Sequence, residues 1–370
     1  MSIAKKAKVD LNNELLAASQ HGNLSEVKRL ITAKADVAHQ EKDHGVSPMM
    51  AAAVGGHKEV VHELLCNGAP WNALDRKGYC AGDYALRAGQ SAVVDQIVNA
   101  GVSAELLFAQ IDKNNRKAQG IASSDRVKVD SKEYINRNVR YTSGKLLDQS
   151  QDAVMMEWET PLMEAHAKIL CPKENLDVLN IGFGMGIIDS ALQKHKPKSH
   201  TIVEVHRGVL KKMREDGWDK KKGVTIVPGR WQDVMHELGQ FDAIFFDTYG
   251  EYYDDMREFH SWLPRILRPG GTYSFFNGLC PDNIVFQGVM CQVVQIELAK
   301  FGIDAQFAEC DINIGEKDWQ GVNRKYFWSN TYYLPICKRE VAKESKSGTG
   351  GQGSRSIAPT SSTDTEEKKT

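Results

Sequence analysis

The sequence lacks most of what would mark a metalloprotein, a secreted protein or a membrane protein. Cysteine is sparse, at seven in 370 residues, with no C-x-x-C pair and no zinc-ligand spacing. An odd, dispersed set points to reduced thiols, most of them small core residues, and hence to the cytoplasm or nucleus. The opening residues, "MSIAKKAKVDLNNELL", hold no apolar stretch of signal-peptide type, and no run approaches membrane-spanning length. Net charge is missing too: 47 Lys and Arg against 48 Asp and Glu leave −1, which excludes whole-molecule attraction to nucleic acid or to anionic membrane. No metal site, membrane contact or direct nucleic-acid contact is therefore expected. The basic run at 211–223, "KKMREDGWDKKKG", reads as a solvated helix face because carboxylates interrupt it. What is present is ordinary globular material, 41% hydrophobic and 26% charged, in a chain long enough for two cores.

Three stretches near the start resemble one another: "LLAASQHGNLSEVKRLI" at 15–31, "MMAAAVGGHKEVVHELL" at 49–65 and "GDYALRAGQSAVVDQIV" at 82–98. Gly22, Gly56 and Gly89 align at offsets of 34 and 33 residues, and behind each glycine the same apolar spacing returns, as in Val27, Leu30 and Ile31. The period resembles the ankyrin repeat, whose TPLHxA signature is echoed by "VSPMMAAAVGGH". Such a module implies an all-α stack of helix pairs, here at 10–105, that binds protein partners by shape. His57 and His62 have no third ligand nearby and read as turn and solvent-facing residues. Residues 106–133 read as a linker, and the Ser/Thr/Gly-rich 339–370 as a disordered tail with too little apolar surface to offset ordering.

Between them, 134–338, apolar runs alternate with helical patterns. Strands are expected at 176–181, 200–205, 224–228, 241–246 and 271–276, with two more at 304–310 and 325–335. Helices separate the first five, which implies a parallel sheet covered on both faces; the last two suggest an antiparallel edge.

The first strand runs into "NIGFGMG" at 180–186. A dinucleotide fingerprint would need glycine at 187, where Ile187 stands, and no GK[ST] follows as a phosphate loop requires. A tight strand-to-helix turn without a ligand is the plain alternative. Further features favour a ligand. Glu204 ends the next strand, where a carboxylate can accept from both ribose hydroxyls of an adenosine group. "GRWQD" follows the third strand, with the face of Trp231 and the amide of Gln232 suited to adenine. Asp247 ends the fourth strand in "FFDTYG", and "ILRPGGTYSFFN" reads as helix, turn and fifth strand.

Together these features resemble an α/β class I (Rossmann-like, seven-stranded) methyltransferase that uses S-adenosyl-L-methionine. "VMMEWETPLMEAHA" at 154–167, with "VEVH", "GRWQDV" and "FFDTYGEYY", narrows the resemblance to the guanidinoacetate methyltransferase group. The ankyrin-like front and "DAVMMEWE" narrow it further, to the protein arginine N5-methyltransferases (type IV), which modify the internal δ-nitrogen of arginine. The resemblance covers 10–338. It implies a protein substrate bearing the target arginine, a folded or ribosomal protein, and further partners on the repeats. It also implies catalytic roles for Glu159 and Asp247, one orienting the guanidinium and the other accepting its proton, roles that could be exchanged. Implied cofactor contacts are Phe183, Gly184, Met185, Gly186, Ile187, Ile188, Glu204, Val205, His206, Trp231, Gln232 and Asp247, with Tyr134 as a lid and Met163 as an apolar wall. The glycines are expected to let the backbone approach the methionine portion. Glu251, Asp254 and Asp255, with Tyr252 and Tyr253, could receive a basic peptide, or form a charged solvated loop. The group's Glu-Asp after the tryptophan is Gln232-Asp233 here, and the double-glutamate loop of ordinary arginine methyltransferases is not apparent. Two other functions compete: a small-molecule guanidino methyltransferase with an accessory domain, and an inactive scaffold.

Overall fold

The three similar stretches fold as three helix pairs. The computed structural model describes residues 3–119, 135–249 and 252–341, with side chains from residue 11 onward. Helices α1 (Ile3–Gln20) and α2 (Leu24–Thr32) form the first pair, α3 (Pro48–Val54) and α4 (Lys58–Cys66) the second, α5 (Ala81–Arg87) and α6 (Ser91–Gln119) the third. The aligned glycines are what let the pairs stack. Gly22 and Gly56 hold φ +67° and +68°, and a Cβ there would sit 2.5 Å from His57 and 2.4 Å from Gln90, each a side chain of the next repeat. Gly89, with no repeat after it, has nothing within 4 Å. His57, the turn residue before α4, also places Nε2 3.0 Å from the Gln20 carbonyl oxygen and so joins two repeats at the surface.

The expected linker at 106–133 starts differently. Helix α6 runs on to Gln119, and the remainder lies outside the described residues. By length and composition α6 is apolar enough to cross a membrane, which corrects the reading that no run approaches that length. Its apolar residues Val93, Ile97, Val98 and Val102 are buried inside the protein.

A three-stranded antiparallel sheet follows, β1 (Val139–Thr142), β2 (Lys145–Asp148) and β3 (Ala153–Met156), which the strand pattern did not predict. The main sheet contains β4 (Asp177–Ile181), β5 (Ser199–Glu204), β6 (Val224–Pro228), β7 (Phe241–Phe246), β8 (Leu267–Phe275), β9 (Ile303–Asp311) and β10 (Thr331–Arg339). Their order is β6-β5-β4-β7-β8-β10-β9, with the first five parallel and β10 antiparallel to both neighbours. This is the class I methyltransferase sheet. Strand β8 starts before the Pro-Gly-Gly turn expected to precede it and carries a register shift instead. The last strand begins at Thr331, not near 325, which frees Tyr326 and Phe327 to fold inward.

The helices of this half are α7 (Thr160–Leu170), α8 (Ile187–Lys194), α9 (Arg207–Glu215), α10 (Trp231–Val234), α11 (Tyr253–His260), α12 (Leu263–Ile266) and α13 (Ile284–Ala299). Alternation along "FDAIFF" explains how one strand serves two cores. Ala243 and Phe245 pack with Met163, Ile188 and Leu192 on one face, while Ile244 and Phe246 pack with Trp231, Phe259 and Leu298 on the other.

Helix α13 joins the two halves. Val285, Val289 and Val293, four residues apart on one face, pack with Cys80, Val98 and Val102 of the repeats, while Val294 and Leu298 turn to the sheet. Trp71 meets Phe286 edge-on at 5.2 Å between ring centroids. Asn283 caps α13 through Oδ1 and donates from Nδ2 to Asp83 Oδ2 at 2.8 Å. Repeats and sheet belong to one unit, Met1–Glu340.

Candidate active site

A cavity of about 760 Å³ opens at the carboxyl ends of β4, β5 and β7, where open α/β sheets bind their ligands. The "NIGFGMG" loop forms its floor. Gly182 sits at φ +90°, and a Cβ there would lie 1.8 Å from the Asp247 carbonyl oxygen. A Cβ on Gly184 would meet Met155, and one on Gly186 the Phe183 ring. Each glycine thus also answers to protein atoms, Gly182 by letting the β4 and β7 loops cross, while Gly182 and Gly184 line the cavity. The Asp247 N–H donates to the Ile181 carbonyl oxygen across that crossing at 2.9 Å. Beneath it, Asn180 Nδ2 donates to the Gly182 carbonyl oxygen and to Asp189 Oδ1, both residues fully buried. Gly182→Ala is expected to cost roughly 3 kcal/mol or more, through positive-φ strain and steric conflict. A thermal melt reads this, and an unchanged melting temperature would contradict the crossing.

Glu159 and Asp247 are two of the carboxylates that line the cavity. Glu159 is 2% exposed and ends a 3-10 turn, Glu157–Glu159, directly before α7. Its Oε1 accepts from the Met156 N–H at 2.9 Å and from the Tyr326 hydroxyl, leaving Oε2 as the open acceptor. Asp247 is half-buried at the end of β7. Burial and the neighbouring Asp247 charge raise the Glu159 pKa against the pull of its two donors; burial and the charge of Asp189 raise that of Asp247. The pair therefore holds protons well above the ordinary carboxylate range, and a cation placed between them would draw both down.

The unfolded chain ionises these groups in the ordinary range while the folded chain keeps them protonated, so the protein loses stability as pH rises from the ordinary carboxylate range through the raised values. Glu159→Gln removes one charge and still accepts from Met156 and Tyr326. Its melting temperature is expected to exceed that of the wild type by a few degrees at about pH 9 and by much less at about pH 5. An advantage that shrinks with rising pH would contradict the buried-charge account.

Glu204 ends β5 with three backbone donors on its carboxylate: Phe183 at 2.9 Å, Val205 at 2.8 Å and His206 at 2.6 Å. Burial nonetheless raises its pKa. The clamp fixes the group at the cavity wall and leaves one of about four acceptor positions open. Trp231 is a core residue, edge-on to Phe246 and Phe259 at 5.9 and 5.4 Å, yet it also reaches the cavity, as do Gln232, Phe183, Gly184 and Val205.

Other expected contacts lie elsewhere. Met163 and Ile188 are buried in the core between α7, α8 and the sheet. Met185, Gly186 and Ile187 stand behind the cavity wall, Gly186 as the left-handed N-cap of α8. His206 is an N-cap: Nδ1 accepts from the Gly208 N–H and Nε2 lies 2.9 Å from the Arg137 carbonyl oxygen. Tyr134 and Glu251 lie outside the described residues. Asp255 caps its own helix by accepting from the Tyr252 N–H, and Asp254 is ion-paired to Arg257 at 2.5 Å. Tyr253 donates to Glu297, which also holds Arg257.

Tyr326 was absent from the sequence-based site. It reaches Glu159 from 167 residues away, is packed edge-on to Trp319 at 5.2 Å, and lies against Trp158 at 5.9 Å. Its own pKa is raised, chiefly by burial and by the charge of Glu159, so it remains a donor. Only its aromatic surroundings in "KYFWSN" could have signalled it.

Comparison with known proteins agrees with this architecture. Residues 132–286 match the guanidinoacetate N-methyltransferase family, and residues 15–107 match ankyrin repeats in three copies. Among curated relatives, "Protein arginine N-methyltransferase 2" of Aspergillus oryzae is 33% identical over 89% of this chain and 97% of its own. The protein of the same name from Saccharomyces cerevisiae is 34% identical over 75% of this chain and 76% of its own, and that from Emericella nidulans 32% over 89% and 97%. A three-repeat array sharing a core with a class I sheet, the carboxylates Glu159 and Asp247 on one cavity and identities of this extent lead to one assignment: the chain belongs to the protein arginine N-methyltransferase 2 family.

Proposed function

We propose that this protein transfers a methyl group from S-adenosyl-L-methionine to the internal δ-nitrogen (N5) of an arginine in a protein substrate, ribosomal proteins being one class of substrate. The observation that carries the reading is that Glu159 and Asp247 line the same cavity as the clamped Glu204. The residues fit the cofactor: Glu204 offers a fixed acceptor to ribose, Trp231 and Gln232 offer an apolar edge and an amide to adenine, and 760 Å³ accommodates a nucleoside beside an arginine side chain. When bound, the cofactor supplies a methyl group on a positively charged sulfur.

The chain's own residues supply the rest. A guanidinium is cationic and its lone pairs are delocalised, so it is a poor nucleophile. Glu159, with Oε2 open, grips and orients it, while Asp247 accepts the proton from the reacting nitrogen as the new N–C bond forms. Tyr326 and the Met156 N–H hold Glu159 in place. Charge favours a cationic substrate: the cavity is lined by six carboxylates and two guanidiniums, and one of the latter, Arg257, is committed to Glu297 and Asp254. A small guanidino acid, the reading that the matched family suggests, would have Arg230, the other lining guanidinium, for its own carboxylate.

Labelled S-adenosyl-L-methionine offered separately with guanidinoacetate and with cell extract tests the choice. Label in extract proteins, with mass-spectrometric fragments placing the methyl on the δ-nitrogen, is expected; label in guanidinoacetate alone sinks the reading. Glu204→Ala is expected to weaken cofactor binding about tenfold or more in calorimetry while changing the single-turnover rate at saturating cofactor far less. The opposite pattern would remove Glu204 from the ribose.

A further inference from the structure

The last ankyrin helix does more than hold the array to the sheet. Glu105, Phe108, Ala109 and Asp112, all on α6, line the same cavity as Glu159 and Asp247. They recur at spacings of three and four, so one stripe of the helix faces the mouth. Tyr252 lines the same cavity, and the two aromatic rings are largely uncovered, Phe108 at 61% and Tyr252 at 71% exposure. The rim carboxylates differ in how they are used. Asp112 is ion-paired to Arg116, which also lies 4.0 Å from Asp254, and Asp254 is bound to Arg257. Glu105 is half-buried beside the cavity, and among the described residues it has no salt-bridge partner. Burial raises its pKa, with the charge of Asp254 adding to the rise and that of Arg257 opposing it, and a cation from outside would relieve the remaining cost.

Resting on the protein-arginine reading above, we propose that α6 is a specificity element of the active site, which reads the substrate chain beside the target arginine. The arginine enters between Glu159 and Asp247, and the flanking chain leaves between Phe108 and Tyr252. An apolar neighbour packs on those rings, and a lysine or arginine within two residues of the target meets Glu105. The repeat module thus acts inside the catalytic cavity. This gives the fused architecture a purpose, because a wall built from α6 keeps its register with the catalytic carboxylates only while α6 and α13 share a core.

The test uses the full chain and acetylated, amidated nine-residue peptides with a central arginine, its neighbours being lysine, leucine, alanine or glutamate. For the wild type, kcat/KM is expected to be about fivefold or more higher with lysine or leucine neighbours than with glutamate. Glu105→Lys is expected to reverse the order of the lysine and glutamate peptides, and Phe108→Ala to abolish the advantage of leucine over alanine. Both substitutions lie on an exposed or half-exposed helix face, and S-adenosylhomocysteine binding verifies that the variants are folded. Identical rankings in wild type and both variants overturn the proposal while leaving arginine methylation standing. A wild type that methylates guanidinoacetate and none of the peptides overturns both readings.

Discussion

Asp247→Asn is expected to lower the methyl-transfer rate about 10²- to 10⁴-fold while leaving cofactor affinity nearly unchanged. Asparagine keeps the size and one acceptor oxygen but cannot take up the proton, and it cannot compensate a guanidinium charge. Glu159→Gln is expected to act in the same direction, by loosening the grip on the substrate. The two losses should fall short of multiplying in the double variant, because both groups serve one guanidinium. Single-turnover transfer gives the rate, and calorimetry with S-adenosylhomocysteine gives the affinity. Equal loss of rate and of cofactor affinity would move Asp247 from the reacting nitrogen to the cofactor. The upward-shifted pKa values of the pair add a pH signature. Arginine stays charged throughout, so its binding must displace the protons held between the carboxyls. The kcat/KM for the protein substrate is thus expected to climb as pH rises through the shifted range and then level off. A profile flat from the ordinary carboxylate range upward would contradict the buried pair.

The second large effect concerns the seam between the halves. Val289→Asp is expected to destabilise the protein by about 4 kcal/mol, the usual cost of an uncompensated charge in a buried site. Val289 is 0% exposed and packs with Val98 and Val102 of α6. Repeats and sheet share that core, so calorimetry should record one transition that moves as a whole. Removing residues 1–119 should give an aggregating fragment, because it uncovers Val285, Val289 and Val293 together. A truncated chain that stays soluble with an unshifted melting temperature would show that the seam contributes nothing.

Much of the main sheet was legible because its cues are local. Runs such as "LDVLNI" and "FDAIFF" are apolar at consecutive positions, as strands buried on two faces must be, and the residues at their ends are where ligands gather. That logic located Glu204 and Asp247, and the repeat period located the helix pairs. Helix α13 escaped it for a physical reason. "IVFQGVMCQVVQIELA" presents one face to the sheet and another to the repeats, so no polar stripe marks its period. The meander β1–β3 escaped as well, its four-residue strands being too short for a pattern. Met163, Ile188 and His206 lie close in sequence to true cavity residues, but side-chain direction turned them into core or helix cap.

By itself, the sequence determined the two modules and the strand ends that open on the cavity, since each depends on residues adjacent or a few positions apart. Only the tertiary structure decided that Tyr326 holds Glu159, that Gly182 serves the crossing of two loops, and that an ankyrin helix lines the cavity that Glu159 and Asp247 face. Those relations join residues up to 167 positions apart; they arise from packing in three dimensions, which periodicity along a chain does not encode.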